Sequence, residues 1–261
     1  MTRKIENPLA TPQTIAFAGD WHENGRWAAK AISHAVNLGA DVIVHLGDFG
    51  YSFSRRFLAD VSAAALFQGL PILFVDGNHE NFDRLCRFPI GPFGLREVAD
   101  NVWHLPRGFR WEWDGVRFLA LGGAHSVDRP FRVPRVSWWK EEAITDGQAN
   151  EAIAGGPADV LVAHDCPAGV PIPGIDNRAT PPPFPPLEIM RSEEHRQVLR
   201  RVVDGVRPSW VWHGHYHVAY DMVADLGYGE VRATGLNCDE SHLGQNIAVV
   251  TLAGLRTGMP L

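Results

Sequence analysis

The chain has 261 residues, 45% of them hydrophobic and 21% charged, a composition typical of a globular protein with a sizeable core. Its net charge of −6 argues against the broad basic face that non-specific binding to nucleic acid requires. No apolar run reaches the ~18 residues of a membrane span, so no membrane partner is expected. The three cysteines form no CxxC pair, and residues 1–13 contain no long apolar run. A cytoplasmic protein is therefore expected.

Apolar runs and helical spacing alternate along the first part of the chain. Short buried strands are predicted at residues 14–18, 41–46 and 71–75, and helices at 27–38 and 55–68. Strands that alternate with helices in this way are typical of a parallel sheet with crossover helices. The sequence therefore predicts an α/β fold.

The pattern is looser after residue 100. Further strands are predicted at 102–105, 116–121, 160–163, 209–212, 220–224, 230–233 and 247–251, and helices at 137–154 and 192–203. Residues 165–191 contain eight prolines and predict an irregular loop. That segment is either a loop or lid over a site, or a plain surface excursion. No repeat or linker divides the sequence, so one domain is expected over residues 1–261.

Side chains of the kind that bind metal ions follow five of the predicted strands. They are Asp20, His22, Asp48, Asn78, His79, His164, His215 and His217. Ligands gather beyond the carboxyl ends of strands in open α/β folds, so loops there would bring these residues together. Their oxygen and imidazole donors suit Mn, Fe, Co, Ni or Zn. Seven of these residues, all but His79, would be more ligands than one ion needs. They would serve two ions that share a carboxylate and hold a hydroxide between them, an arrangement suited to phosphate ester hydrolysis.

Five short motifs carry these residues: GDWH, GDFG, GNHE, AHD and GHYH, in this order across residues 19–217. The ordered set resembles the calcineurin-like metallophosphoesterase family. The resemblance implies a four-layer α/β/β/α fold, a double β-sandwich flanked by helices, with a dinuclear metal site at the carboxyl-terminal edge of the strands. It also implies two divalent cofactor ions. Manganese is the first expectation, with Fe, Zn, Co or Ni as alternatives.

The resemblance further implies a role for each matching residue. One ion would be held by Asp20, His22 and His217, and the other by Asn78, His164 and His215. Asp48 would bridge the two ions and so take part in catalysis. His79 would donate a hydrogen bond to the phosphate, or protonate the leaving oxygen as a general acid. The alternative for His79 is a structural histidine beside the metal ligands.

One motif departs from a branch of the family. Protein phosphatases of this family carry a longer second motif, GDxxDRG, whereas residues 47–53 read GDFGYSF. The second aspartate and its arginine are missing. This disfavours a protein phosphatase and favours a small phosphodiesterase.

Substrate contacts are expected from the segment after the strand at 116–121. Guanidinium groups suit phosphate oxygens, and Arg129 is nearest the strand end among Arg129, Arg132 and Arg135. The alternative is a solvated basic loop paired with nearby acids. His125 is a second candidate for binding the phosphate, with a surface histidine as the alternative. Four aromatic residues next to ligands would either stack on a base or aryl group or pack internally: Trp21, Phe49, Tyr51 and Tyr216.

These observations favour a metal-dependent phosphodiesterase of small substrates, such as a cyclic nucleotide or a nucleotide-like diester. The alternatives are a phosphomonoesterase or a nuclease that processes nucleic-acid ends, although the acidic charge does not favour a nucleic-acid partner. A non-catalytic scaffold is disfavoured because all seven ligands and His79 are present. The sequence leaves the oligomeric state open.

Overall fold

The computed structural model describes residues 4–176 and 183–258. Six strands form a first sheet, called sheet A, in the order β12-β1-β2-β3-β5-β4. The four central strands are parallel, and the two edge strands β12 and β4 are antiparallel to their neighbours. The strands are β1 (Thr14–Ala18), β2 (Val42–His45), β3 (Ile72–Phe74), β4 (Arg96–Ala99), β5 (Val102–His104) and β12 (Ile247–Thr251), and the helices of the first half are α1 (Gly25–Asn37), α2 (Arg55–Gln68) and α3 (Phe82–Leu85).

The second sheet, sheet B, also has six strands, in the order β10-β11-β9-β8-β7-β6. Its four central strands are again parallel, with β10 and β6 antiparallel at the edges. The strands are β6 (Arg110–Trp113), β7 (Val116–Leu121), β8 (Val160–Ala163), β9 (Trp210–His213), β10 (Tyr220–Asp225) and β11 (Glu230–Gly235), and the remaining helices are α4 (Asp146–Ala154), α5 (Pro186–Val206), α6 (Leu243–Asn246) and α7 (Leu252–Thr257).

The strand side chains alternate between two apolar layers. In β1, Ile15 and Phe17 point into the layer between the sheets, whereas Ala16 and Ala18 face α1 and α2. Side chains in a strand alternate between its two faces, so a strand buried on both sides reads as a continuous apolar run. The Phe17 ring stacks on Trp212 of β9 at 4.0 Å between ring centroids, which joins the two sheets. A third layer packs sheet B against α4 and α5.

The predicted α/β/β/α double sandwich is therefore confirmed. Two predicted helix ranges were wrong. The helix expected at 137–154 begins only at Asp146, because Thr145 caps it and a 3₁₀ turn at Lys140–Glu142 precedes it. The helix expected from 192 begins at Pro186, because proline is tolerated in a first helical turn, where its missing N–H is not needed. The edge strands β4 and β6 were not predicted.

No helix in residues 4–176 and 183–258 is both long and apolar enough to cross a bilayer. The longest, α5, has 21 residues and carries charged side chains along its length.

Candidate metal centre

The carboxyl ends of the central strands of both sheets meet at one edge of the sandwich. Asp20 and His22 follow β1, Asp48 follows β2, and Asn78 follows β3. From sheet B, β8 and β9 lead into the rest of the set, which is His164, His215 and His217. Loops at this edge thus bring all seven predicted ligands together, because parallel strands present their ends on the same side.

On one side of the cluster, Asp20 lies between two histidines. Its Oδ2 is 3.2 Å from His217 Nε2 and 3.9 Å from His22 Nε2. His22 Nδ1 lies 2.7 Å from the Asp239 carboxylate and donates to it, so Nε2, which faces Asp20 and Asp48, is the ring nitrogen that would bind an ion after losing its proton. A carboxylate that orients a histidine in this way is a common feature of metal sites.

On the other side, His164 lies between Asp48 and Asn78. Its Nε2 is 3.5 Å from Asp48 Oδ1 and 3.0 Å from Asn78 Oδ1. Its Nδ1 donates to the Leu46 carbonyl at 2.7 Å, so Nε2 is the ring nitrogen that is directed into the cluster and would bind an ion after losing its proton. The ring of His215 packs against that of His164, with centroids 5.0 Å apart.

Asp48 lies between the two sides and is buried. Its Oδ2 is 3.7 Å from His22 Nε2, and its Oδ1 is 3.5 Å from His164 Nε2. Each carboxylate oxygen therefore faces a different group of donors. This is the arrangement expected of a carboxylate that two ions share.

The buried carboxylates of Asp20 and Asp48 change the proton affinity of the surrounding histidines. Burial alone lowers the pKa of His22, but hydrogen bonds to Asp239 and Asp48 raise it to about 11. Burial opposes protonation of His164 as well, yet Asp48 raises its pKa to about 10. The cluster therefore attracts positive charge strongly, and its oxygen and imidazole donors fit divalent ions.

The backbone is left-handed at several of these positions. The φ angles are 48° at His22, 52° at Asp48, 68° at His215 and 54° at His217. Such angles cost a residue with a side chain about 1 kcal/mol each, and they cluster at functional sites. The local strain is retained because the surrounding structure holds these side chains in the cluster.

Two glycines allow the motif loops to approach the carboxylates. A Cβ atom on Gly77 would lie 2.1 Å from Asp48 Oδ1, and one on Gly214 would lie 2.1 Å from Asp20 Oδ1. Both distances are far inside van der Waals contact. Only glycine fits these positions, which both lie in the motifs.

A buried network fixes the orientation of Asn78. Its amide Nδ2 donates to Ser126 Oγ at 3.0 Å, which leaves Oδ1 directed at His164. Ser126 donates to Glu142, and Arg132 donates to both Ser126 and Glu142. Arg132 also reaches the Asn78 carbonyl at 3.3 Å. The sequence left Arg132 as either a phosphate contact or a partner of nearby acids, and the structure pairs it with Glu142 beside the predicted ligand Asn78.

Sequence reasoning missed Asp239, which follows β11. Its carboxylate accepts from His22 Nδ1 at 2.7 Å and from Asn24 Nδ2 at 2.8 Å, and its own N–H donates to the Asp20 carbonyl. The signal was available in principle, because Asn237-Cys238-Asp239 follows a strand just as the other motifs do. The strand was predicted to end at residue 233 but extends to Gly235, so residues 237–239 were not recognised as following a strand directly.

His79 lies at the mouth of the cluster. Its backbone N–H donates to Asp48 Oδ1 at 2.9 Å, and its ring meets the Tyr51 ring edge-on at 5.4 Å between centroids. Burial lowers the pKa of the His79 ring, and the Asp48 charge opposes this. The ring faces a cavity of about 510 Å³ that opens onto the ligands.

The cavity has an apolar wall. Val127 comes from the segment after β7, Ile175 and Phe184 come from the two described ends of the proline-rich segment, and Ile189 comes from α5. This placement supports the interpretation of that segment as a loop over a site, although residues 177–182 lie outside the described part of the chain. The charged side chains of the lining, apart from the ligand cluster, are Asp128, Asp176, Glu193 and Arg196.

The two predicted substrate contacts lie beside this cavity and are not among its lining residues. His125 Nε2 is 2.7 Å from Glu188 Oε2. Arg129 lies 4.0 Å from the same carboxylate and stacks over Trp138. Their role in substrate binding stays a prediction.

The aromatic residues beside the ligands divide into two classes. Trp21 and Phe49 are fully buried and pack in the core. Tyr51 is 43% exposed and stacks on the His22 ring, and Tyr216 lines the cavity while its hydroxyl donates to Asp165 at 2.7 Å. Tyr216 therefore lies where a ring of a substrate in the cavity could meet it, whereas Tyr51 is exposed beside His22 and is not among the lining residues.

Residues 13–219 match the family model described as calcineurin-like phosphoesterase. The chain belongs to this family. It is accordingly a phosphoric ester hydrolase, and the family depends on a dinuclear metal centre. The matched region contains all five motifs and the seven clustered residues of this phosphoesterase.

Solved structures of low sequence identity share the fold of this phosphoesterase. A dimetal phosphatase from Danio rerio is 14% identical, with a TM-score of 0.57 and coverage of 92% of this chain and 93% of the other. The protein TT1561 of Thermus thermophilus is 13% identical, with a TM-score of 0.52 and coverage of 92% and 99%.

Two curated relatives of this phosphoesterase are lariat debranching enzymes. The one from Saccharomyces cerevisiae is 23% identical across 80% of this chain and 58% of its own length. The one from Caenorhabditis briggsae is 23% identical across 61% of this chain and 34% of its own length. The match thus spans between a third and three fifths of these relatives.

Proposed function

We propose that this protein is a metal-dependent phosphodiesterase that hydrolyses small diesters carrying an organic group, such as a nucleotide-like diester. Residues 1–261 would act as one domain. One ion would be held by Asp20, His22 and His217, the other by Asn78, His164 and His215, and Asp48 would bridge them. Manganese is the first expectation for these ions, and Fe, Zn, Co or Ni are the alternatives.

The observation that carries this proposal is the cavity that opens directly onto the ligand cluster. Asp48, Asn78 and His79 form its floor, and an apolar wall stands beside them. A phosphate bound at the cluster would place a covalently attached organic group against that wall, where its burial is favourable. A phosphate diester carries an organic group on each of its two ester oxygens, so one group can occupy the cavity while the other leaves.

The bound ions would supply charge neutralisation for the phosphate and activation of a water molecule. His79 lies at the boundary between the cluster and the cavity. From there its ring donates a hydrogen bond to a phosphate oxygen, or a proton to the leaving oxygen. The backbone bond from His79 N–H to Asp48 fixes the position of the ring relative to the cluster. Tyr51 supports the same ring from the solvent side.

A nucleic-acid substrate is the second candidate, because the curated relatives are lariat debranching enzymes. The charges of the cavity disfavour it. Three carboxylates face one guanidinium in the lining, and Arg196 already pairs with Asp176 and Glu193. In the neighbouring loop, Arg132 is bound to Glu142 and Arg135 to Asp83. A long polyanion gains little at such a surface.

The test compares bis-p-nitrophenyl phosphate, p-nitrophenyl phosphate and a synthetic branched oligonucleotide as substrates of metal-stripped protein with Mn²⁺ added back. We expect metal-dependent turnover with a higher kcat/KM for the diester than for the monoester. Preference for the monoester would replace the proposal with a phosphatase. Cleavage of the branched oligonucleotide at a much higher kcat/KM than either small probe would favour the second candidate.

The role of His79 is tested by His79→Asn in the same assay. We expect kcat to fall roughly 10²- to 10⁴-fold while the protein still binds two metal ions, because the general acid is removed and the ligands remain. His34, which lies in the last turn of α1 and outside the motifs, provides the control variant His34→Asn, which should keep full activity. Loss of metal in His79→Asn would instead make His79 a structural residue.

A further inference from the structure

The segment that follows β11 passes along the more exposed side of the ligand cluster. It places the Cys238 thiol beside His22 and His217. One ring nitrogen of each histidine and the Cys238 sulfur all lie within 4.8 Å of one another. Three donor atoms at such spacing can share one ion, and none of the five motifs contains this cysteine.

The position of Cys238 is fixed by its neighbours. The next residue, Asp239, is tied to the cluster through its N–H bond to the Asp20 carbonyl and through its carboxylate at His22. The Cys238 N–H donates to Asn237 Oδ1 at 2.8 Å, and Ser241 Oγ donates to the Cys238 carbonyl at 2.6 Å. The thiol is therefore held at the cluster by the same segment that orients His22.

The other two cysteines have different surroundings. Cys86 is exposed next to the short helix α3, and Cys166 is buried in the layer between sheet B and α5. The Cys166 sulfur lies 3.5 Å from the Tyr220 hydroxyl. Within the described residues, neither belongs to a group of donors close enough to hold an ion. Both therefore serve as internal controls.

We propose that the Cys238 thiolate is an additional ligand of the ion held by Asp20, His22 and His217. This inference rests on the proposed assignment of those residues as metal ligands. The thiol gives up its proton to solvent when it binds the ion. A thiolate favours zinc, cobalt or iron over manganese, whereas the other ion has only oxygen and nitrogen donors. The two positions would then select different metals.

The direct test is the absorption spectrum of the metal-stripped protein reconstituted with Co²⁺. We expect a near-ultraviolet charge-transfer band from a thiolate bound to cobalt, together with two cobalt ions per chain by elemental analysis. Cys238→Ser should lose the band, because serine is close in size and removes the thiolate. Cys86→Ser should keep it. A band that survives in Cys238→Ser would overturn the proposal.

Failure of this inference can be distinguished from failure of the proposed function. If the wild-type protein binds two cobalt ions and hydrolyses the diester but shows no thiolate band, the proposal for Cys238 is wrong and the phosphodiesterase stands. If the protein binds no cobalt but hydrolyses the diester with Mn²⁺, the proposal for Cys238 is again wrong and the phosphodiesterase stands. If it binds no cobalt and shows no turnover with Mn²⁺, both are wrong.

Competition between metals gives a second measurement. Zinc affinity at one of the two positions should fall at least tenfold in Cys238→Ser, in the range of about 10 to 100 seen when a metal site loses a supporting group. Manganese affinity should change much less, because manganese gains little from a thiolate. Equal losses of zinc and manganese affinity would show that Cys238 only shapes the segment.

Discussion

The two sides of the ligand cluster differ in how the fold supports them. His164 and Asp48 have side chains that are 0% and 1% exposed, whereas the His217 side chain is 45% exposed. The buried side is held from within the sandwich, through the Leu46 carbonyl and the network around Asn78. The exposed side is held by the segment after β11, through Asp239. If the proposed ligands are right, one ion would be held from the core and the other by Asp20 of the core together with residues that the surface segment supports.

The difference has an energetic consequence. Charges of the buried side are screened little by water, so loss of a partner there should affect the folding of the protein. Groups of the exposed side are partly solvated, so changes there should affect metal affinity more than folding. Each of the following predictions separates these two responses.

Asp48→Ala should have the largest effect, because Asp48 faces both sides of the cluster. We expect diester hydrolysis to fall by more than about 100-fold and metal content to drop at both positions. Activity and elemental analysis of the purified variant check this. Full activity in Asp48→Ala would refute the shared-ligand arrangement.

Arg132→Ala tests the support of the buried side. Arg132 and Glu142 are 8% and 2% exposed, and Arg132 Nη2 is 3.0 Å from Glu142 Oε1. Removal of Arg132 leaves a buried carboxylate unpaired, so the free energy of unfolding at pH 8 should fall by about 3–5 kcal/mol. Urea denaturation of the metal-stripped protein measures it.

The matched control for that variant is Arg135→Ala, three residues away. Arg135 forms an ion pair with Asp83 at 2.7 Å, but its side chain is 71% exposed. Its loss should cost less than about 1 kcal/mol. Equal losses in the two variants would mean that burial does not distinguish these arginines.

Glu142 makes the buried side sensitive to pH. Burial raises its pKa from 4.5 to about 7, despite the hydrogen bond from Ser126 and the charge of Arg132. Between these two pH values the folded protein binds more protons than the unfolded chain, so this group lowers stability as pH rises. The change should total about 3 kcal/mol.

Glu142→Gln removes that titration. As pH rises from 4.5 to about 7, the unfolding free energy of the wild type should therefore fall relative to that of Glu142→Gln. Urea denaturation of both metal-stripped proteins across this range measures it. A difference that is constant with pH would show that Glu142 keeps an ordinary pKa.

Asp239→Asn should have an effect that is confined to the exposed side. The amide holds His22 less firmly than the carboxylate does, so affinity for one ion should fall by about 10- to 100-fold. Metal titration by calorimetry measures it, with Glu240→Gln in the same segment as the control. Loss of both ions in Asp239→Asn would contradict the separation of the two sides.

Much of the fold could be predicted because its signals are local. The predicted strand Val160–Ala163 matches the observed one residue for residue, because a strand buried on both faces needs a continuous apolar sequence. The prediction for Val116–Leu121 also matches, because only Arg117 interrupts its apolar run. The edge strand Arg110–Trp113 was missed, because only alternate residues are buried there. The start of α5 was misplaced because the run of prolines before Leu187 was interpreted as loop, although α5 begins at Pro186.

The sequence by itself determined which residues can form the site, because motif glycines, aspartates and histidines follow strands whose ends must meet in an α/β fold. It did not determine what surrounds them. Arg132 pairs with Glu142 instead of facing a phosphate, and Asp239 and Cys238 join the cluster from a segment more than 200 residues after His22. Only the tertiary structure decided these contacts, because a position after a strand does not reveal which distant side chains a residue meets, and that depends on how the two sheets pack together.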